Sequence, residues 1–147
     1  MNEHAPPPGA PPLRRIEELS PDECRRLLTT KQVGRVVFVD ARGPVALPVN
    51  YVLDDHDILF RTSAASSLLA SSYAGGTAFE VDHVDEANRI GWSVLASGRV
   101  RQVTDPADRR HAEMLGVSPW AEGDRSRYLR LHVRTVTGRR LVERDES

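Results

Sequence analysis

The chain has 147 residues and a mass of 16.3 kDa, about one domain by length, and its 39% hydrophobic and 28% charged residues exclude wholesale disorder. The 20 Lys and Arg against 21 Asp and Glu leave a formal net charge of −1, which removes the simplest electrostatic case for a nucleic-acid partner. Cys24 is the only cysteine, so one chain builds no disulfide and no thiolate metal cluster; with no secretion-signal layout and no apolar run near the ~18 residues of a membrane helix, the expectation is a cytoplasmic protein without a membrane partner.

Residues 1–12 hold five prolines and almost nothing apolar, and are read as a disordered Pro-rich tail ahead of a single domain over 13–147. Ser20-Pro21-Asp22-Glu23 predicts a helix start, with Ser20 as cap, Pro21 at the first helical position and Glu23 completing a capping box. Cys24, Leu27 and Leu28 then share one face, and the helix fades near Thr29-Thr30. From Val33 the period becomes alternating. Arg35 to Val39 reads as a strand, Asp40 to Pro44 as a turn, and Val45 to Leu53 as a second strand. Pro48 within it points to an unpaired edge or a bulge. A tight turn, Asp54 to Asp57, leads into a third strand, Ile58 to Thr62.

A short helix is expected from Ser67 to about Tyr73, ended by Gly75-Gly76. Strands follow at Thr77 to Val84 and at Gly91 to Val103, the second interrupted by Gly98 where a barrel wall would bend. Asp105-Pro106 caps another helix that runs to about Leu115. A loop bearing Trp120 precedes the last strand, Tyr128 to Val142, with a bulge expected near Gly138. Six strands of mostly antiparallel character with three short connecting helices predict a mainly β (α+β) fold, a small closed or partly closed barrel.

Three stretches could carry chemistry. In Arg61-Thr62-Ser63-Ala64-Ala65-Ser66-Ser67-Leu68 an arginine and hydroxyls end a strand and open a helix, a setting suited to phosphate. The competing reading is that Ser63 and Ser66 merely cap the helix. Trp92-Ser93 could flank an aromatic ring system and hydrogen-bond its edge, or Trp92 is a core residue. Trp120 could lid a pocket or fill a dimer contact. The histidines are too scattered for a metal set. Asp82 to Glu86 reads as a hydrated hairpin turn against a cation site. The basic run Arg125 to Arg130 could touch a polyanion, but its alternation reads as a strand with one wet face.

Several segments, taken in order, resemble one family. They are Val33-Gly34-Arg35-Val36-Val37-Phe38, Leu47-Pro48-Val49-Asn50-Tyr51, Phe60-Arg61-Thr62, Ala78-Phe79-Glu80-Val81-Asp82, Gly91-Trp92-Ser93-Val94, Ser97-Gly98-Arg99-Val100 and Thr137-Gly138-Arg139-Arg140. Over about residues 16–143 the chain resembles the pyridoxamine 5′-phosphate oxidase-like family of flavin-binding split β-barrels, in its short actinobacterial form. The resemblance implies a homodimer with two flavin sites at the subunit interface. It implies that Pro48, Val49 and Asn50 lie along the isoalloxazine ring. Arg61, Thr62 and Ser63, with Ser66, Ser67 and Leu68, match the phosphate grip. Trp92 and Ser93 match a strand reaching the pocket, and Trp120 matches a closing loop.

Many relatives carry a lysine where this chain has Ser67, so that positive charge is missing here. FMN is the expected cofactor, with the deazaflavin F420 as alternative and haem or another tetrapyrrole third. The implied activity is an oxidoreductase passing hydride or electrons to a small-molecule substrate. The alternatives are a non-enzymatic protein that stores, senses or shields such a cofactor, and a cofactor-free structural dimer. Arg130-Leu131-His132 resembles the Arg-x-His substrate motif of longer true pyridoxamine phosphate oxidases; it is read as strand alternation, and vitamin B6 oxidation is not expected.

Overall fold

A computed structural model describes residues 7–71, 76–123 and 126–144. Half of the expected Pro-rich tail, residues 1–6, lies outside these; residues 7–12 are exposed and in neither helix nor strand. The strands are β1 (Arg15–Glu18), β2 (Val33–Asp40), β3 (Gly43–Asp54), β4 (Asp57–Phe60), β5 (Thr77–Asp85), β6 (Ile90–Gln102) and β7 (Leu129–Val142). The helices are α1 (Pro21–Leu28), α2 (Ala65–Ser71) and α3 (Pro106–Leu115).

Six strands close a ring in the order β7-β4-β3-β2-β5-β6, with β6 returning to β7, and the pairings are antiparallel. This is the six-stranded barrel that the alternation implied. β1 is a seventh strand, laid on β7 from Arg139 to Val142, beyond the stretch that β4 uses. Its four residues are all exposed, so no inward alternation marks it in the sequence; backbone pairing alone holds it.

Inward residues are the alternate ones: Val36 and Phe38 on β2, Phe79 and Val81 on β5, Val94 and Ala96 on β6, Leu129 and Leu131 on β7, each under 4% exposed. Inside the barrel, Phe79 stands edge-on to Tyr51 at 5.2 Å between ring centroids and tilted to Phe60 at 5.6 Å. The Phe79 ring lies over Gly34, where even a methyl group would be only 2.2 Å from its Cε1. That close approach is why β2 carries a glycine there.

Pro48 sits opposite Arg35. The Tyr51 amide donates to the Gln32 carbonyl at 3.1 Å, and pairs alternate along the ladder, so the Pro48 nitrogen faces away from β2. On that side β4 pairs only with Tyr51 to Asp54, leaving Pro48 at an edge. The bend at Gly98 is present: the β6–β7 register shifts between Ser97 and Gly98, and a methyl there would run into the His132 carbonyl oxygen. The extra residue on β7 is Arg134, so the bulge expected near Gly138 is four residues earlier. Gly138 instead makes room for the Cys24 thiol and the Leu19 side chain.

α1 forms as its sequence predicts. The Ser20 hydroxyl accepts from the Glu23 amide at 3.2 Å, and Cys24, Leu27 and Leu28 are buried. The other half of the capping box is not made. The Glu23 carboxylate turns to Arg26 and Arg140, which hold its pKa down at about 2. The Tyr51 hydroxyl donates to the Leu28 carbonyl at 2.6 Å, anchoring the helix end to the barrel. α3 is capped by Asp105, whose carboxylate accepts from the Ala107 and Asp108 amides, and stops at Gly116 with φ 71°. It covers a second small core of Leu59, Val103, Ala112 and Val117 outside the barrel.

Candidate functional site

The site builds at the junction between β4 and α2. Arg61 follows the last residue of β4, and its guanidinium lies 4.8 Å from the centroid of the Tyr128 ring, a cation–π contact. Its Nη1 also reaches the Val117 carbonyl at 3.5 Å, at the end of the α3 connection. The next residue, Thr62, is buried, and its hydroxyl accepts from the Ala64 amide at 3.2 Å. That bond starts α2 at Ala65, two residues earlier than expected; the expected end of this helix, at Tyr73 and Gly75, lies outside the described residues. Neither Ser63 nor Ser66 caps it in the described contacts. Ser63 is exposed, and Ser66 falls within the first helical turn, where its hydroxyl accepts from Arg127 Nη1 at 3.0 Å.

Arg127 is the residue that sequence reasoning passed over. It stood in the Arg125 to Arg130 run, read as strand alternation. The strand begins only at Leu129, so Arg127 is free of the ladder and reaches across to α2. Arg127 and Tyr128 are chain neighbours, which puts two guanidiniums, those of Arg61 and Arg127, at one junction with the Ser66 hydroxyl. Ser67 is exposed and lines a neighbouring cleft with Val39, Asp40 and Arg42. Leu68 has no exposed surface and belongs to the barrel core; any part it has in a site is through the packing of α2.

The expected ring-facing strand divides by parity. Val49 is buried, Pro48 is exposed on the edge, and Asn50 is half-buried. The Asn50 Oδ1 accepts from the Trp120 amide at 2.9 Å, so the loop after α3 is tied to this edge. The Trp120 indole itself is 73% exposed.

Trp92 and Ser93 are not brought to this place within one chain. Ser93 pairs with Arg139, and Phe60, next to Arg61, pairs with Leu129. Those partners are ten residues apart on β7, roughly 33 Å of extended strand. Within its own chain Trp92 packs against the barrel core, as the core reading has it. Outside it, on the outer sheet face, Glu80 and Asp82 share the Arg35 guanidinium at 3.3 and 3.1 Å. Burial, and then the neighbouring Asp82, push the Glu80 carboxyl up to about 7.

The Arg130-Leu131-His132 triplet is occupied elsewhere. Arg130 Nη2 lies 2.6 Å from Asp54 Oδ2 and Nη1 3.4 Å from Asp57 Oδ2, while His132 Nδ1 is 3.1 Å from Asp57. His111 of α3 closes the group at 3.0 Å from Asp54. Its hydrogen bond, ahead of that of Arg130, holds the Asp54 carboxyl below its usual range. An arginine with both arms on carboxylates is not a free phosphate receptor. Among the described residues no group of three or more His, Cys, Asp or Glu is placed to hold a metal ion, and no helix is long and apolar enough to cross a membrane.

Comparison with known proteins places this barrel. The family model for pyridoxamine 5′-phosphate oxidase matches residues 20–140. The chain belongs to that family. It is 34% identical over 134 residues to the uncharacterised protein Rv0080 of Mycobacterium tuberculosis, covering 88% of each chain. Among solved structures, the FAD binding protein of Mycobacterium smegmatis is 28% identical with a TM-score of 0.64, over 86% of this chain and 98% of that one. A Corynebacterium glutamicum structure named for pyridoxamine 5′-phosphate oxidase has a TM-score of 0.72 over 88% of this chain and 96% of that one. At 24% identity it speaks to the fold, the split β-barrel expected from the sequence.

Proposed function

We propose that the protein is a flavin-dependent oxidoreductase that holds its cofactor by the 5′-phosphate, FMN being the smallest such ligand, and passes hydride or electrons to a small molecule. One observation carries this. In a chain of this family, Arg127 donates to the Ser66 hydroxyl at the β4–α2 junction, and Arg61, at the start of that junction, stacks on Tyr128, the neighbour of Arg127. A phosphate dianion calls for charge-assisted donors, and each guanidinium presents a planar fork of them. α2 has seven residues, so side chains and not its dipole carry the grip. Arg127 also answers the missing lysine at Ser67, because its positive charge reaches the same turn of α2 from the other side of the sequence. A relative at 28% identity is named as an FAD binding protein, which fits a flavin here.

The remaining roles follow from placement. The edge of β3 at Pro48 to Asn50 offers a flat flank for the ring, with Trp120 tethered beside it. Trp92 and Ser93 would reach that ring from a second copy of the chain. The outer sheet face suits such a homodimer: Val84, Gly91, Leu141 and Ile16 form a row across β5, β6, β7 and β1, and its three side chains are each at least 39% exposed. Bound flavin supplies the redox chemistry. The chain binds it, orients the ring against the strand edge and excludes water. The missing lysine at Ser67 favours a second reading, a binding protein without turnover, in which bound flavin is reduced by neither nicotinamide nucleotides nor reduced F420.

Fluorescence titration with FMN and with F420 tests the proposal. Arg61→Ala is expected to weaken FMN binding by roughly tenfold to a hundredfold, the range of a charged hydrogen bond. Unchanged affinity in that variant removes Arg61 from the phosphate grip. A wild-type protein that takes up neither cofactor overturns the flavin reading.

A further inference from the structure

On the outer face of β6 and β7 lies a cleft of about 1240 Å³. That is room for a nucleotide. Arg99, Arg101 and Arg134 line it on β6 and β7, and Val37, Val39 and Ala78 on β2 and β5. Among the described residues none of the three arginines has an ion-pair or hydrogen-bonding partner for its side chain.

The carboxylates nearest to them along the ladder are already taken. Arg101 pairs across the strands with Arg130, and Arg99 with His132. Asp54 and Asp57 are held by Arg130, His111 and His132. Those carboxylates are therefore spent, and neither of them is paired with Arg99 or Arg101. Arg99 and Arg101 are two residues apart on one face, about 6.6 Å by strand rise, a spacing that adjacent phosphates can bridge. Arg134 is the bulge residue of β7, the one position there released from the regular alternation. Val37, Val39 and Ala78, on the neighbouring strands β2 and β5, add an apolar part to the lining that suits a base or ribose.

We propose that this cleft is a second, separate anion site that binds a nucleoside diphosphate, with the phosphates on Arg99, Arg101 and Arg134 and the nucleoside against Val37, Val39 and Ala78. The source that fits is the adenylate half of a nicotinamide dinucleotide donor, since one of the two phosphates of FAD is the flavin 5′-phosphate already assigned to Arg61 and Arg127.

The probe is ADP, titrated calorimetrically against the full chain, with adenosine as control. ADP is expected to bind at least about tenfold more tightly than adenosine and to weaken as salt rises. A variant carrying Arg99→Gln, Arg101→Gln and Arg134→Gln, shown folded by circular dichroism, is expected to lose that advantage, and the Lys replacements to restore part of it. Arg61→Ala is expected to leave ADP binding unchanged. If FAD outbinds FMN and the triple variant removes the difference, the cleft is part of the flavin site and the proposal of a separate site is overturned. If NADPH competes with ADP while FMN is bound, it serves the donor. Equal binding of ADP and adenosine, or ADP binding indifferent to the triple substitution, overturns the proposal and leaves the flavin reading untouched. Failure of FMN to bind, with ADP still held through the three arginines, does the reverse.

Discussion

The tightest packing in the barrel is the contact of the Phe79 ring with Gly34, and Gly34→Ala probes it. The new methyl carbon would stand 2.2 Å from Phe79 Cε1 and 3.0 Å from the Glu80 carbonyl oxygen. The ring has no room to retreat, because it is fully buried between Tyr51 and Phe60. Overpacking of this kind costs about 1–3 kcal/mol, and the buried setting places it at the upper end. Replacing glycine in a strand returns about 0.5–1 kcal/mol of backbone entropy. The net expectation is a loss of about 2 kcal/mol, a fall in Tm of roughly 4–8 °C for a chain of this length. Urea denaturation followed by far-ultraviolet circular dichroism measures it. Phe79→Leu is destabilising on its own, since it removes two aromatic pairs. It also opens the space the methyl needs, so the double variant is expected to be little worse than Phe79→Leu alone, a coupling of about 2 kcal/mol. A Gly34→Ala protein within about 0.5 kcal/mol of wild type, or costs that simply add in the double variant, would refute the reasoning.

Two further expectations concern pH. The Glu80 carboxyl titrates at about 7 in the fold against an ordinary 4.5, so its contribution is fully present below 4.5 and is lost as pH rises through 7. Glu80→Gln should therefore match wild type near about pH 4 and exceed it near about pH 8, by about 1 kcal/mol after solvent screening, with Arg35 keeping Asp82; a variant no more stable than wild type at the higher pH removes the burial argument. Asp54 runs the other way: His111 and Arg130 hold its carboxyl below 3.8, so its stabilisation is present above that value and disappears as pH falls through the lowered one. Asp54→Asn should weaken the fold at neutral pH and converge with wild type in strong acid, as read from urea midpoints, and a pH-independent difference would contradict the pairing.

Much of this was legible in single residues. Ser20 and Pro21 start α1 where they stand, because a cap and a first-turn proline act on their own backbone. Pro48 announced an edge and Gly98 a bend for equally local reasons. The errors came where one element answers to another. β1 has no apolar rhythm and exists because β7 runs past the end of β4 and needs a partner. The bulge fell at Arg134, since it accommodates the approach of Gly98 to the His132 carbonyl. Glu23 left its capping role for Arg26 and for Arg140, which is 117 residues away in sequence.

At the candidate site the same division holds. Arg61 and the serines that follow it were visible as a phosphate-suited run, and the seven short segments in order were enough to point to the family. The run did not show that Arg127 reaches Ser66, that Leu68 is withdrawn into the core, or that Trp92 lies a strand's length from Arg61. By itself the sequence determined the barrel's strands, the Ser20 and Asp105 caps and the family, because alternation, capping and turn chemistry act over a few neighbouring residues. Only the tertiary structure decided which cations meet which hydroxyls and which arginines are left without carboxylates. Those depend on strand register and on the closing of β6 against β7, which bring together groups far apart along the chain.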